Sequence, residues 1–116
     1  MINLNNMLNE VINDAISVGF PISKSLERKI YIDKQRYDRV GACYRYPYPE
    51  RYEIHLSEDV TRANVNDIKN IIAHEVLHSY FLSMDHGYMW SMYQNLMNTK
   101  CKYNIQVKYS WCEILK

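Results

Sequence analysis

One stretch limits the folds open to this chain more than any other. From Asn64 to about Leu82 it reads as a helix apolar on most sides, interrupted at one place by His74-Glu75-Val76-Leu77-His78. Val65, Ile68, Ile71, Ile72, Val76, Leu77, Phe81 and Leu82 leave little room for a solvated face, and a helix that is apolar nearly all round is a buried one. Asn64 is placed to cap it, and Asp67 falls in the first turn, where the helix dipole favours an anion. A buried helix needs layers packed around it, so the rest of the chain must supply them. Two imidazoles and a carboxylate in such a helix are costly to bury unless something pairs them, and a metal ion does so.

The spacing suits that role. Histidines four residues apart lie about 40° apart in helical projection, on one face, so both can reach one ion at the ~2.0–2.1 Å of a zinc–nitrogen bond. Glu75 then sits beside the ion without being forced to ligate it, where a carboxylate can take a proton from an activated water and pass it to a leaving amine. A catalytic zinc takes three protein ligands and keeps one open position. After His78 the remaining candidates are Asp85, His86, Glu113 and the cysteines, and before it His55. His86 follows a reversal long enough to return the chain to the ion, and Gly87 permits close approach, so His86 is the expected third ligand. No acidic residue lies between His86 and Glu113, which argues against a glutamate ligand on the following helix. Tyr80 and Tyr88 are near in sequence and could stabilise an oxyanion, although eleven tyrosines make any single choice arbitrary.

Around this element the periodicities are plain. Leu4, Met7, Leu8, Val11, Ile12, Ala15 and Ile16 give a helix from about residue 2 to 18, stopped by Gly19-Phe20-Pro21. Strand-like runs follow at 29–33, 40–46 and 52–57, the last two flanking the rigid turn Pro47-Tyr48-Pro49-Glu50. Tyr52, Ile54 and Leu56 alternate with Glu53, His55 and Ser57, which predicts one buried and one exposed face. After a reversal at 83–85, a second helix is expected from about His86 to Asn98, with Trp90, Tyr93, Leu96 and Met97 on its core side. The run 103–109 could add a fourth strand. The order α-β-β-β-α-α-β is an α+β pattern with a small three- to four-stranded sheet, and 116 residues with only three Gly and three Pro make one domain, 1–116.

Net charge is +1, so no class of partner follows from the overall balance. Basic residues are interleaved with tyrosines between Lys24 and Arg51, a pattern that can track nucleic acid but is more often a solvated strand region. Cys43, Cys101 and Cys112 form no C-x-x-C pair. The start lacks a signal-peptide pattern, and no apolar run approaches the ~20 residues of a membrane span, so a cytoplasmic setting without membrane contact is expected.

His74-Glu75-x-x-His78, then His86-Gly87-x-x-Trp90 and Leu96-Met97-Asn98, resembles the SprT-like (Spartan-type) zinc metallopeptidases, as does the pair of stretches Val40–Cys43 and Glu53–Ser57. The likeness spans roughly residues 30 to 110 and is most specific over 74–98. It implies a zincin-like fold, zinc on His74, His78 and His86, and Glu75 as general base. It further implies an edge strand that holds an extended peptide, and protein substrates associated with DNA. The gap from His78 to His86 is shorter than is usual in that family, and the C-terminal zinc ribbon of many members is absent from this sequence. Two other classes share part of the pattern: zinc-dependent endoribonucleases, whose histidine spacing is tighter and which lack the glutamate, and a non-catalytic zinc-stabilised binding module, which would not need Glu75. Small repressor-cleaving peptidases share H-E-x-x-H but draw an acidic ligand from a downstream helix, and this chain offers none there.

Overall fold

The computed structural model describes residues 3–34 and 39–109. The chain opens with α1 (Leu4–Ser17), where the Asn3 side chain accepts the Asn6 N–H and caps the helix. Gly19, at φ 90°, closes α1 in a conformation that side chains disfavour and lets Phe20 turn back into the core. Three strands follow: β1 (Leu26–Asp33), β2 (Gly41–Pro47) and β3 (Glu50–Ser57). They form a mixed sheet in the order β1-β3-β2, with β1 parallel and β2 antiparallel to β3. A short 3-10 turn, Glu58–Arg62, leads to α2 (Val65–Val76), capped by Asn64 as expected. A second one, Phe81–Ser83, precedes α3 (Tyr88–Lys100).

Among the described residues the fold is therefore α+β, with three α-helices and a small three-stranded sheet. Helix α2 packs against β2 and β3 of the sheet and against α1, which itself lies against β1. Ile68, Ile71, Ile72, Ala73 and Val76 are fully buried against Leu8, Val11 and Ile12 of α1 and Tyr52, Ile54 and Leu56 of β3. Each isoleucine, leucine and valine among them contributes roughly 1.5–3 kcal/mol relative to an exposed one. No helix among the described residues is long and apolar enough to cross a membrane.

Three expectations are corrected. Helix α2 stops at Val76 rather than near Leu82: the N–H groups of His78 and Ser79 turn to the carbonyls of Glu75 and Val76, three residues back, and tighten the last turn into a reversal. Phe81 and Leu82 consequently leave the core and are 55% and 58% exposed. The run 103–109 forms no strand; it packs as an extended segment held by side chains, with Ile105 in the core. The outward face of β3 is not simply solvated either. Glu53 and Ser57 are buried, and His55 lies between Tyr31 and Tyr44, whose rings stand 5.0 and 4.6 Å away.

Gly41 joins the sheet to the functional helix. A Cβ there would meet the His55 carbonyl oxygen at 3.1 Å, Ile71 Cγ2 at 3.2 Å and Glu75 Cγ at 3.4 Å. Gly41→Ala should therefore push β2 away from α2 and cost about 1–3 kcal/mol. Urea denaturation would measure this, and a loss under about 0.5 kcal/mol would mean that the contact relaxes freely.

Candidate metal centre

His74 lies in the last turn of α2 and His78 in the tightened turn just past its end, and the two rings come within 5.1 Å of each other where the chain reverses. The reversal brings His86 back over them, just before Gly87 caps α3. One ligand atom from each of the three histidines lies within 4.8 Å of the others. The Nε2 atom of His86 is 3.1 Å from His78 Nε2 and 3.1 Å from His74 Nε2. Two nitrogens bound to one tetrahedral zinc at ~2.05 Å stand about 3.3 Å apart, close to this spacing.

Protons decide what the cluster is suited for. His74 Nδ1 lies 2.7 Å from the Gln106 carbonyl oxygen, and His78 Nδ1 lies 2.9 Å from that of Ser83. A carbonyl only accepts, so both Nδ1 atoms carry the hydrogen, and in the neutral ring each Nε2 is a bare lone pair. Burial favours that neutral form: it lowers His74 to about 4 and lowers His78 as well, against the pull of the two carbonyl hydrogen bonds. The His86 Nε2 can bring at most one proton to two facing lone pairs. Three convergent imidazole nitrogens with too few protons fit a cation, and imidazole sets of this kind suit zinc, copper, nickel or iron.

Trp90, fully buried, forms the floor. Its ring centroid stands 4.9, 5.5 and 4.7 Å from those of His74, His78 and His86, and its indole N–H donates to the His74 carbonyl at 3.2 Å. Of the four residues that helical spacing puts on the core side of α3, Trp90 and Met97 are fully buried and Tyr93 is half-buried against the core, whereas Leu96 is half-buried outside it. Glu75 is buried, and its Oε2 lies 4.0 Å from His74 Nε2. Burial raises its carboxyl to about 8, and the positive charge of Arg39 opposes the rise.

The remaining candidates fall elsewhere. His55 Nδ1 and Nε2 pair with Asp33 at 2.9 Å and Glu53 at 3.0 Å on the outward face of the sheet. Asp85 accepts the Gly87 N–H. Glu113 and Cys112 lie outside the described residues, as do Arg36 and Tyr37 of the basic stretch. Within that stretch, Arg45 is paired with Glu50 and Arg51 with Glu53. Tyr88 is 85% exposed, while Tyr80 packs near Phe20 and Phe81. Sequence reasoning passed over Gln106 and Ser83, which act through backbone carbonyls that no residue type announces. It also passed over Tyr109, whose ring lies 5.6 Å from that of His74. Known protein-family models, curated proteins and solved structures return no match to this chain.

Two outcomes follow. Purified chain should bind one divalent metal ion through this triad, and His86→Ala, which removes an exposed loop residue, should weaken binding at least about 100-fold while the chain stays folded; metal titration read by Trp90 fluorescence would show it. Without metal, a Glu75 carboxyl raised from its ordinary 4.5 to about 8 adds stability that is fully present below pH 4.5 and is lost as pH rises through 8. His74, lowered from 6.5 to about 4, acts in the opposite sense: its contribution is present above pH 6.5 and is lost as pH falls through 4. Melting of the metal-free chain between pH 6.5 and 8.5 should therefore show a loss of stability that Glu75→Gln abolishes; parallel curves for the two would contradict the burial argument.

Proposed function

We propose that this chain is a zinc-dependent metalloendopeptidase of zincin-like, SprT-like kind. The observation that carries the reading is Glu75: a carboxylate buried beside three convergent imidazole nitrogens, one residue along the helix from a ligand and too far from its nitrogen for a hydrogen bond. A purely structural three-histidine site has no use for it, and burying it costs free energy that a merely stable fold would avoid. Zinc, when bound to His74, His78 and His86, would supply a Lewis acid that makes water nucleophilic near neutral pH and polarises a scissile carbonyl.

The rest is the work of the chain. Glu75 takes the proton of the attacking water and delivers it to the leaving amine, and burial, which strengthens its hold on a proton, matches that shuttle. The charge of a bound cation draws its proton affinity back down, so base and acid forms come within reach at neutral pH. The Nδ1 hydrogen bonds of His74 and His78 hold the two rings so that their basic nitrogens face the open side. Strand β2 borders Glu75 through Gly41 and pairs on one side only among the described strands. The edge of β2 that faces no described strand could take an extended peptide as an added strand, and this favours a protein or peptide substrate over a compact small molecule.

Glu75→Gln should lower kcat for peptide or protein hydrolysis by about 10²–10⁴-fold with zinc still bound at one per chain. Full activity in that variant would remove Glu75 as the base; loss of zinc along with activity would make it a ligand or a prop. A zinc-loaded wild type inert towards unfolded proteins and peptides, with and without DNA, would overturn the peptidase reading.

A further inference from the structure

Residues 101–109, the described part of the segment that follows α3, give no side chain to the triad, yet one of their carbonyls holds His74. After Cys101 the chain turns through Lys102, in the left-handed region at φ 61°, and passes back across α3 and α2. Tyr103 donates to Asp14 of α1 at 2.6 Å, and the Asn104 N–H donates to Asn70 of α2 at 2.9 Å. Ile105, 1% exposed, is gripped on both of its backbone groups by Asn98 in the last turns of α3. The Asn98 Oδ1 accepts the Ile105 N–H at 2.8 Å, and its Nδ2 donates to the Ile105 carbonyl at 3.2 Å. Gln94, one helical turn earlier, donates to the same carbonyl at 2.8 Å. The very next residue is Gln106, whose carbonyl accepts from His74 Nδ1 at 2.7 Å and whose N–H donates to the Tyr109 hydroxyl at 3.0 Å.

We propose that Asn98 is a positioning residue of the metal centre: its double hold on Ile105 fixes the Gln106 carbonyl against His74 and thereby sets the affinity of the triad for its ion. The inference rests on reading the triad as a metal site. An extended segment outside any sheet has no ladder to define its register, so side-chain clamps must do it. Only one orientation of the Asn98 amide satisfies both backbone groups of Ile105, which makes the clamp directional. The Ile105 carbonyl and the Gln106 N–H share one planar unit, so the clamp fixes that unit; the Gln106 carbonyl lies across one further pair of backbone dihedrals, restrained at its near end by the Gln106 N–H bond to Tyr109. The partner of a ligand's second ring nitrogen commonly governs affinity 10–100-fold.

The test uses the full chain with Zn²⁺ and Co²⁺ as probes. Asn98→Ala should raise the zinc Kd by about 10–100-fold in chelator competition. It should also alter the visible absorption of the Co²⁺ form and expose the His74 Nδ1 proton to solvent exchange in NMR. Tyr103→Phe loosens the same segment at its far end; it should lower the melting temperature of the metal-free chain while leaving the zinc Kd within about threefold. Asn98→Asp keeps the acceptor and lacks the donor, and carries the same test should the alanine variant not fold. A zinc Kd unchanged by either Asn98 variant, or lowered affinity in Tyr103→Phe equal to that in Asn98→Ala, would overturn the proposal. All readouts concern metal and imidazole, so a chain that meets them and cleaves no peptide defeats the peptidase reading alone.

Discussion

The centre depends on two hydrogen bonds that point away from it. When the Nδ1 hydrogens of His74 and His78 are given to the carbonyls of Gln106 and Ser83, the tautomer, the ring angle and the direction of both basic nitrogens are settled together. Neither carbonyl belongs to a regular element. Ser83 ends a 3-10 turn, and Gln106 follows a buried isoleucine in an extended segment. Carbonyls in a helix or sheet interior are already engaged with their own ladders, so irregular backbone is where such acceptors are to be had. The precision of the site is thus borrowed from the packing that holds two loops in place.

The same economy governs Glu75. It stands between α2 and β2, where the missing side chain of Gly41 makes room for its methylene group, and Arg39 lies close enough for its charge to oppose the desolvation of the carboxyl. Trp90 closes the opposite side beneath the three imidazoles and bonds the backbone of the first one. Polar chemistry is inserted into an apolar core here, and no buried side-chain nitrogen or oxygen among the described residues is left without a hydrogen-bond partner.

How far the sequence speaks depends on the physics behind each signal. The burial of Ile68, Ile71, Ile72 and Trp90 is a consequence of helical period and apolarity, which are local and legible, and the return of His86 to His74 and His78 could be expected from the short list of ligand types in the chain. The end of α2 was not, because Leu77, Phe81 and Leu82 continue the apolar pattern while the backbone breaks off to bring Ser83 to His78. Alternation over Tyr103–Tyr109 imitates a strand, but the clamps from Asn98 and Asn70 take the backbone groups that a ladder would use. The exposed face expected for β3 is covered because Tyr31 and Tyr44, on neighbouring strands, close over His55, and cross-strand pairing of that kind is set by a register that no single strand contains.

All three imidazoles of the triad lie between residues 74 and 86, whereas one of the carbonyls that orients them arrives only with residue 106. An unfolded chain therefore still presents a short, flexible chelate in which three histidines can close on an ion at small entropic cost. Metal that binds the denatured chain weakens its own effect on the folding equilibrium, so a tight native site need not confer a proportionate rise in stability. What folding adds is orientation rather than the ligands themselves. An ion held by the triad would be less a staple of the fold than a guest, received by rings that the segment carrying Gln106 helps to orient.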